Sequence, residues 1–517
     1  SHGMALAPSL KEKVYIQKFY LYLILTKPSH QVHLTYSKTT ADGKSLRPSY
    51  LVSEFLKIFP NIRVQDMATL LTEKELTRNS GIQFLVDGLQ NKEEGLSEEW
   101  QELYTWYKRQ PEWSKKIDQI IKATFYQRQD SNLSQETAKQ LYGKILENSV
   151  TRLEEFSKCA YSHFLQYGLR LKEREEYQFE AIDLGNLFHS SIEVFSKKLE
   201  NAGYTWTNLP KDKQEEFVQE SVEECIVDYG NSILYSSARN SYIIPRLKRM
   251  LSRTVWALRK QLERGDFVPG GYEIAFGGFD GFSVSRTDLG ELGELRLKGK
   301  IDRIDLCEDE DKIYVKVIDY KTGAKSFDWN KLCYGLQLQL VVYLNAAMEI
   351  QKAQNPEKEI IPAGLFYYQM KDPIVEKGED VEHKILTELC PNGILQSDKE
   401  VLGHFDKDRT NKSQVIPVTF NKDGSLRGAT NTLSAEDFQI VSHYVNHQIE
   451  QIGTRILQGE TKANPYELDG ETGCQYCPYR TVCRMEETIS GAEYRHLEKK
   501  NREDILKDMR KEAETWD

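Results

Sequence analysis

The chain has 517 residues, 39% of them hydrophobic, which is enough apolar material for a large core spread over one to four domains. We expect neither a membrane span nor a secretory signal, because no apolar run approaches the ~20 residues that cross a bilayer and Ser1-His2-Gly3 before Met4 is typical of a cloning remnant. The net charge of −10 excludes a uniformly basic surface, so any binding to DNA would need a local basic patch.

The first 60 residues contain one strongly apolar run. This run, Phe19–Pro28, predicts a helix that ends at the proline, and residues 32–36 predict a short strand after it. The pair of elements resembles the last motif of superfamily 1 helicases, with Lys27 where active members carry an arginine that senses the γ-phosphate. We interpret residues 4–60 as a helicase-like remnant without ATPase activity; an ordinary helix-and-strand segment is the alternative.

The next part of the chain is predicted to be helical and shows no chemistry of its own. Residues 61–148 form a linking segment in this interpretation, with a break at Pro111. A further helix begins near Thr151, where Thr151 and Glu154 have the spacing of a capping box. Cys159 lies beside the apolar stripe of that helix, where a cysteine is usually a small core residue unless other cysteines join it.

A helix around residue 189 carries a candidate metal ligand. Gly185, His189 and Glu193 form a row at i, i+4 spacing beside an apolar stripe. A histidine in such a place is more often a surface or core residue, yet a neutral imidazole is also a common metal ligand.

Residues 245–264 supply a local basic surface on a predicted amphipathic helix. One face is apolar, and the basic residues fall on the opposite face at Arg246, Arg249, Arg253 and Lys260. This pattern indicates either a surface that contacts DNA phosphates or a solvated helix face.

The strongest chemical pattern is a β-hairpin. Leu297–Leu306 and Lys312–Lys321 read as strands, and the five residues between them are short enough for a hairpin turn. Side chains alternate along a strand, so Asp319 and Lys321 share one face, and folding brings Asp302 within a residue or two of Asp319. Two carboxylates suit Mg²⁺, and the lysine can act on a water that attacks phosphorus. The alternative is an edge hairpin with protective charges.

Three further features surround the hairpin in the sequence. Glu273 starts a predicted strand before the hairpin and is another candidate near the metal. A long helix of roughly residues 328–350 follows, with Gln339 and Tyr343 at i, i+4 spacing. Strands and helices mixed in this way predict an α/β (mixed α+β) fold.

Three cysteines crowd together near the C-terminus, at Cys474, Cys477 and Cys483. The C-x2-C-x5-C spacing in a reducing cytosol indicates an iron–sulfur cluster, a zinc ion or structural thiols. A fourth, remote ligand would complete a [4Fe–4S] cluster, and the candidates are Cys159, Cys225, Cys307, Cys333 and Cys390. Residues 491–517 are charged and helical in character, without a periodic core stripe.

Four of these motifs, in this order, resemble the RecB-type PD-(D/E)xK nucleases. They are Leu184-Gly185-x-Leu187-Phe188-His189, the Gly299–Asp305 stretch with Asp302, Ile318-Asp319-Tyr320-Lys321, and Gln339 with Tyr343. In that family the histidine and the two acids bind the metal and the lysine acts on the water. The resemblance therefore implies a nuclease with Mg²⁺ or Mn²⁺, built on a central mixed sheet flanked by helices. The catalytic set it implies is Asp302, Asp319, Lys321, Gln339 and Tyr343, and the metal ligands are His189, Asp302 and Asp319, with Glu273 as a further candidate.

The resemblance also bears on the cysteines and on the whole chain. Iron–sulfur-stapled nucleases of this type place one cysteine before the nuclease motifs and three after, which selects Cys159 as the fourth ligand. From about residue 11 to 490 the chain resembles the C-terminal half of the AddB (RexB) family of bacterial helicase–nuclease subunits. This implies a nuclease domain at residues 149–490, a fragment of a longer subunit, and the helicase AddA as partner. The implied activity is cytoplasmic processing of DNA break ends for homologous recombination, with cutting of the 5′-ended strand on a single-stranded tail.

Two other functions stay open at this point. One is a non-catalytic scaffold whose nuclease fold and cluster only hold DNA. The other is a stand-alone iron–sulfur exonuclease of the CRISPR-adaptation type. The intact set of His189, Asp302, Asp319 and Lys321 argues against the first, and the helicase-like residues 11–36 argue against the second.

Overall fold

The structure is a computed structural model. It describes residues 9–40, 45–66, 77–90, 95–174, 179, 181–229, 231–277, 286–376, 378, 380–409, 412–428, 431–487, 489 and 491–514. The chain divides into two compact units, Ser1–Thr124 and Phe125–Asp517. Within the described parts of the chain, no helix is both long enough and apolar enough to cross a membrane.

The first unit is helical. Its helices are Leu10–Thr26, Tyr50–Ile58, Arg78–Gln90, Glu98–Arg109 and Pro111–Thr124. The last three enclose a small core in which Trp100 packs with Leu85 and Tyr107, and the Trp100 indole donates a hydrogen bond to the Leu85 carbonyl. Pro111 opens a helix because a proline at the first helical position loses no intrahelical hydrogen bond.

One expectation for this unit is wrong. The first helix stops at Thr26, before Pro28 as predicted, but residues 32–36 form no strand. A strand needs a neighbouring chain to complete its backbone hydrogen bonds, and these residues are exposed without one among the described residues. The described part of the first helix also buries none of its side chains.

The second unit is built on a six-stranded mixed sheet, which confirms the α/β fold class. In spatial order its strands are β2 (Val268–Phe276), β5 (Gly299–Glu308), β6 (Lys312–Lys321), β7 (Glu359–Gln369), β8 (Asn392–Gln396) and β9 (Thr432–Leu433). Strands β5 and β6 form the predicted hairpin, with Arg303 opposite Ile318 and Glu308 opposite Ile313. Strand β7 runs parallel to β6 after a crossover through a helix. Strand β2 is antiparallel to β5, and β8 is antiparallel to β7.

Two smaller sheets flank the central one. The first contains β1 (Ile145–Asn148), β3 (Arg286–Asp288) and β4 (Glu294–Leu297), and the second contains β10 (Tyr466–Leu468), β11 (Glu471–Thr472) and β12 (Arg495–His496). The helices of this unit are Gln135–Tyr142, Val150–Lys158, Ala160–His163, Ala181–Asn201, Lys211–Tyr229, Asn231–Leu234, Ala238–Ser241, Ile243–Leu262, Trp329–Cys333, Gln339–Gln354, Val381–Glu388, Lys399–Phe405, Ala435–Leu457, Arg480–Cys483 and Arg502–Ala513.

The two faces of the central hairpin belong to different cores. Ile313, Val315 and Val317 pack under the crossover helix Gln339–Gln354 in the largest core, which we call the crossover side. Ile318 and Tyr320 pack under the helices Ala181–Asn201, Lys211–Tyr229 and Ile243–Leu262, which we call the opposite side. Alternation along β6 thus assigns Asp319 and Lys321 to the crossover side.

Two further expectations are wrong in detail. The single helix expected over residues 328–350 is two helices, Trp329–Cys333 and Gln339–Gln354, because the chain turns at Gly335 with a φ of 72° that favours glycine. The C-terminal segment does have a core stripe: in the helix Arg502–Ala513, Ile505, Leu506 and Met509 are buried in the largest core.

Candidate functional site

Three neighbouring strands bring three carboxylates into one row. The register of β2 against β5 places Glu273 opposite Asp302, and the register of β5 against β6 places Asp302 opposite Asp319. The Tyr320 backbone amide donates a hydrogen bond of 2.7 Å to Asp302 Oδ2. Because β-strands are rigid supports, this row holds its oxygen atoms in a defined arrangement.

Glu273 has an unusual backbone conformation for a strand residue. Its φ is 50°, in the left-handed region that residues with a side chain rarely adopt and that costs of order 1–3 kcal/mol. Its carboxylate is directed at His189 Nδ1, 3.7 Å away, and at Lys300 Nζ, 2.7 Å away. Strain of this kind tends to cluster at functional sites.

His189 completes a group of possible metal ligands. Its Nε2 lies 3.1 Å from the Tyr320 carbonyl oxygen, which suits a donated hydrogen bond and leaves Nδ1 as the acceptor nitrogen. Nδ1 lies 3.5 Å from Asp302 Oδ2, and ligand atoms of His189, Glu273 and Asp302 all lie within 4.8 Å of one another. A nitrogen and several carboxylate oxygens at this spacing fit a divalent cation.

The electrostatics of the carboxylates favour the binding of a cation. Burial and the nearby Asp319 carboxylate raise the pKa of Asp302 to about 7. Burial also raises the pKa of Asp319, against the effect of Lys321, whose Nζ lies 2.6 Å from Asp319 Oδ2. For His189, burial works against protonation, but the hydrogen bond to Glu273 and the charge of Asp302 raise its pKa above the ordinary value. A bound metal ion would relieve the repulsion that these shifts express.

The predicted glutamine–tyrosine pair lies at the start of the crossover helix. Gln339 is the first residue of that helix, and its Nε2 donates a hydrogen bond of 2.9 Å to Tyr343 Oη. Burial raises the pKa of Tyr343, with further contributions from the Asp319 and Asp302 carboxylates. The pair therefore lies within electrostatic reach of the carboxylate row.

Glu154 is a residue whose role sequence reasoning missed. The predicted capping box is wrong: the helix Val150–Lys158 has Ser149 at its N-cap, and no side-chain hydrogen bond caps it. Glu154 Oε1 instead accepts hydrogen bonds from the backbone amides of Leu338, at 2.8 Å, and Gln339, at 3.1 Å. Glu154 thus caps the crossover helix and fixes Gln339, and no local pattern in the sequence could indicate a partner 184 residues away.

A second buried ionic cluster lies on the opposite side of the same hairpin, and sequence reasoning missed it as well. Arg303 and Asp305 are fully buried and joined by two hydrogen bonds, of 2.5 and 3.1 Å. Lys316 Nζ lies 2.6 Å from Asp305 Oδ2. The only signal in the sequence is the repeated aspartate of Asp302-Arg303-Ile304-Asp305, which does not tell the two acids apart.

The cysteines predicted to form a cluster are also brought together. Cys159 is buried at the start of the short helix Ala160–His163, and the charge of Cys483 acts on its thiol. Cys477 Sγ lies 3.8 Å from the Ser162 hydroxyl, and Arg128 Nη2 lies 3.6 Å from Cys483 Sγ. Burial raises the pKa of Cys474, and the charges of Cys477 and Cys483 act in the same direction. The alternative fourth ligand Cys225 packs in the core of the opposite side.

The spacing of these thiols bears on the kind of metal. A tetrahedral zinc ion with Zn–S bonds of ~2.3 Å needs sulfur atoms only ~3.8 Å apart. Among the residues that the structure describes, no three ligand atoms of this cysteine site lie within 4.8 Å of one another. The thiols are therefore spread more widely than the ligands of a bound zinc ion. Burial raises the pKa of the Cys159 thiol to about 11, although the backbone amides of Ser162 and Tyr161 act in the opposite direction.

The basic residues predicted to bind DNA lie on the helix Ile243–Leu262, whose apolar face is buried as expected. Arg249 and Arg253 both lie 3.5 Å from Asp372, and Lys260 lies 2.9 Å from Glu263. Arg246 is exposed. Three of the four basic side chains predicted to bind DNA are thus already paired with an acidic side chain.

The sheet, the carboxylate row and the adjacent lysine define a nuclease of the PD-(D/E)xK class. Residues 147–484 match the family model described as PD-(D/E)XK nuclease superfamily, and the chain belongs to that superfamily. Residues 77–123 match the model of the fifth domain of the ATP-dependent helicase/deoxyribonuclease AddB.

Curated relatives that match nearly the whole chain all carry the same name, which confirms the resemblance to AddB. A protein of Lachnoclostridium phytofermentans, named as the B subunit of an ATP-dependent helicase/deoxyribonuclease, is 39% identical over 99% of this chain and 45% of its own length. Proteins of the same name from Alkaliphilus metalliredigens and Caldanaerobacter subterraneus are 32% and 35% identical, over 99% and 95% of this chain. The chain spans less than half the length of these relatives, 43–45% of it.

Proposed function

We propose that the chain is the metal-dependent deoxyribonuclease module of an AddB-type subunit, which hydrolyses phosphodiester bonds of DNA. The observation that carries this proposal is the row of Glu273, Asp302 and Asp319 with His189 at one end and Lys321 at the other. The superfamily supports a divalent metal, and the names of the relatives support DNA as the substrate.

The residues that would hold Mg²⁺ or Mn²⁺ are His189, Asp302 and Asp319, with Glu273 as a further ligand. The donor set fits, because it offers three carboxylates and one imidazole nitrogen whose second nitrogen is already fixed by the Tyr320 carbonyl. The ion would supply Lewis-acid stabilisation of the phosphate oxygens.

The protein's own groups would position the reactants. Lys321 is held beside Asp319, where its ammonium can hydrogen-bond the attacking water and stabilise the developing charge. Gln339 and Tyr343 are hydrogen-bonded to each other in the first turns of the crossover helix and can orient the phosphate or the water. Glu154 acts through them as a positioning residue.

A cleavage assay tests this proposal. We expect the 517-residue chain to degrade single-stranded DNA with Mg²⁺ but not with EDTA, and we expect Asp319→Ala to abolish cleavage without unfolding the protein. Asp311→Ala is the matched control, because Asp311 lies at the exposed tip of the same hairpin. A fully active, Mg²⁺-dependent Asp319→Ala protein would refute the assignment. DNA binding without cleavage by the unaltered chain would favour the scaffold function instead.

We also propose that Cys159, Cys474, Cys477 and Cys483 hold a [4Fe–4S] cluster with a structural role. Phosphodiester hydrolysis is not a redox reaction, so an electron carrier is not required. Joining Cys159 to Cys474 closes a loop of 315 residues around the nuclease fold, and by analogy with a disulfide of that span the constraint is on the order of 4–5 kcal/mol. Ligation adds further folding free energy.

Anaerobic purification with an absorption spectrum and an iron count tests the cluster. We expect Cys159→Ala and Cys477→Ala to lose iron and to unfold at lower temperature, whereas Cys225→Ala keeps its iron because that thiol packs in a different core. Retention of iron by Cys159→Ala with loss from Cys225→Ala would identify a different fourth ligand. Zinc in place of iron in every preparation would refute the cluster.

The biological setting is proposed from the relatives. We infer a cytoplasmic complex with an AddA-type helicase partner that processes DNA break ends for recombination and cuts the 5′-ended strand. Mixing the chain with this helicase on duplexes labelled at one end at a time tests both parts. Loss of label from the 3′-ended strand alone would contradict the strand assignment.

A further inference from the structure

The row of site residues continues past Asp319 onto the next strand. Tyr367 of β7 is paired with Asp319 of β6, so it lies on the side of Asp319 away from Asp302 and His189. Tyr367 is fully buried, and Asp319, Glu154 and Tyr343 all influence its hydroxyl. Within the described residues this hydroxyl has no hydrogen-bond partner. Leaving a buried hydroxyl unsatisfied is unfavourable, so its position calls for an acceptor beyond those that the described residues supply.

Two lysines lie over the ring of this tyrosine. Lys321 Nζ is 5.9 Å from the ring centroid, and Lys325 Nζ is 5.0 Å from it. Both distances are within the range of a cation–π interaction. The tyrosine ring therefore holds two ammonium groups at the flank of the carboxylate row.

Lys325 differs from Lys321 in its ion pairing. Lys321 is paired with Asp319, but no ion pair joins Lys325 to a carboxylate among the residues that the structure describes. Glu154 is the acidic group that acts on Lys325 most, yet its oxygen Oε1 is engaged by two backbone amides. Lys325 is half-buried, and burial lowers its pKa. A half-buried cation that has an aromatic face but no carboxylate partner among the described residues is unfavourable unless an anion completes it.

The charge distribution suggests which anion. Glu273, Asp302 and Asp319 make the metal-binding flank acidic, which repels a phosphate, whereas the β7 flank presents an ammonium and a hydroxyl that lacks an acceptor within the described residues. A phosphate oxygen accepts hydrogen bonds from both kinds of donor. On the proposed function, the anion that enters this site is the backbone of a DNA strand.

We propose that Lys325 and Tyr367 form a phosphate-binding subsite of the active site, which receives a backbone phosphate of the DNA strand on the side of Asp319 opposite His189. This inference rests on the proposed nuclease function, but its test does not depend on cleavage. The subsite fixes the strand against the β7 flank while the carboxylates face it from the other flank.

The test measures metal-free binding of a fluorescent single-stranded oligonucleotide in EDTA at several salt concentrations. Each phosphate contact contributes about 0.7 to the slope of log affinity against log salt for single strands. We expect Lys325→Met to lower the slope by about 0.7 and Lys325→Arg to restore it, since a guanidinium still binds phosphate. Lys331→Met is the matched control, because Lys331 is paired with Glu471 at 2.7 Å and should leave the slope unchanged.

A pair of adjacent tyrosines separates binding from folding. Tyr367 and Tyr368 are both fully buried and both have a hydroxyl without a partner among the described residues, but Tyr368 faces the opposite side of the sheet. We expect Tyr367→Phe to weaken DNA binding several-fold with no loss in Tm. Tyr368→Phe should likewise keep its Tm, because no hydrogen bond is lost, and should keep full DNA affinity.

The outcomes are distinct. An unchanged salt slope in Lys325→Met, or equal DNA affinity in the two Phe variants, overturns the subsite. A lower Tm in Lys325→Met with unaltered binding assigns Lys325 a structural role and also overturns it, as does an unaltered chain that binds no DNA. Normal metal-free binding by the unaltered chain without cleavage in Mg²⁺ refutes the nuclease proposal, and the salt slopes still decide the subsite.

Discussion

The two sides of the β5–β6 hairpin carry ionic clusters made of the same residue types. On the crossover side, Asp302 and Asp319 lie against each other and Lys321 is bonded to Asp319, while burial and the Asp319 charge raise the pKa of Asp302. On the opposite side, Asp305 lies between Arg303 and Lys316, and these two cations help to hold the pKa of its carboxyl below the ordinary value although burial raises it. The crossover cluster has one directly bonded lysine for two aspartates, whereas the opposite cluster has two cations around one aspartate.

The comparison teaches that charge balance separates a ligand site from a structural one. The opposite cluster is fully buried and its acid is satisfied by direct hydrogen bonds, so it needs nothing from outside. The crossover cluster is partly exposed at His189 and Lys321, and its Asp302 carboxylate is repelled by those of Asp319 and Glu273. A site that is strained without its ligand stores the free energy that ligand binding later releases.

The largest expected effect is in Asp302→Asn. The change should lower the cleavage rate on the order of 10³-fold, because it removes a metal ligand and a charge that would stabilise the ion. It should leave Tm unchanged or raise it, because it also removes repulsion against Asp319. Parallel measurement of cleavage and thermal unfolding checks both parts. A large fall in Tm would show that Asp302 is structural.

Lys321→Ala should lower the cleavage rate on the order of 10²-fold while metal affinity stays. The physical reason is that Lys321 is placed to act on the water or on developing charge and does not hold the ion. Titration with Mn²⁺ measures affinity apart from rate. An equal loss of metal binding in Lys321→Ala and Asp319→Ala would contradict these separate roles.

Asp305→Asn tests the opposite cluster and should reverse the pattern of Asp302→Asn. Removing the shared acid leaves Arg303 and Lys316 buried without their carboxylate, and breaking a buried ion pair costs about 3–5 kcal/mol. Denaturant unfolding measures the loss. The remaining folded protein should cleave DNA at a normal rate per molecule, and a catalytic defect larger than the unfolded fraction explains would break the comparison.

The hairpin and its acids could be predicted because they depend on local rules. Strand alternation and a short connector bring Asp302 to Asp319 without knowledge of the rest of the fold. By contrast, the roles of Glu154, Tyr367 and Lys325 depend on pairings between distant elements. Alternation alone also leaves open which side of the sheet will meet solvent, and so which aspartate of the hairpin binds a ligand.

The buried histidine His163 lies beside the largest core, and we expect it to affect stability but not cleavage. His163 packs edge-on against Phe156, a member of the largest core, and burial lowers the pKa of its imidazole to about 3. In the unfolded chain the imidazole would take up a proton near the ordinary pKa of 6.5. The contribution of neutral His163 to stability should therefore be fully present above pH 6.5 and decrease as the pH falls from 6.5 towards 3. His163→Phe should flatten this part of the curve of unfolding free energy against pH. Cleavage at about pH 8, above the ordinary histidine range, should be unaffected, and a cleavage defect there would place His163 in the site.

The smallest effect is expected from the basic helix Ile243–Leu262, which covers the opposite side of the sheet. Arg249 and Arg253 share Asp372, so only Arg246 is fully available for a phosphate among the three arginines predicted to bind DNA. If this helix is part of the DNA path, Arg246→Gln should lower the salt slope of single-strand binding by about 0.7. Asp372→Asn should raise the affinity, because it releases two arginines at once, and this gain would be absent from a helix that only faces solvent. Unchanged binding in both variants would confine the DNA to the crossover side, where the unbalanced charge lies.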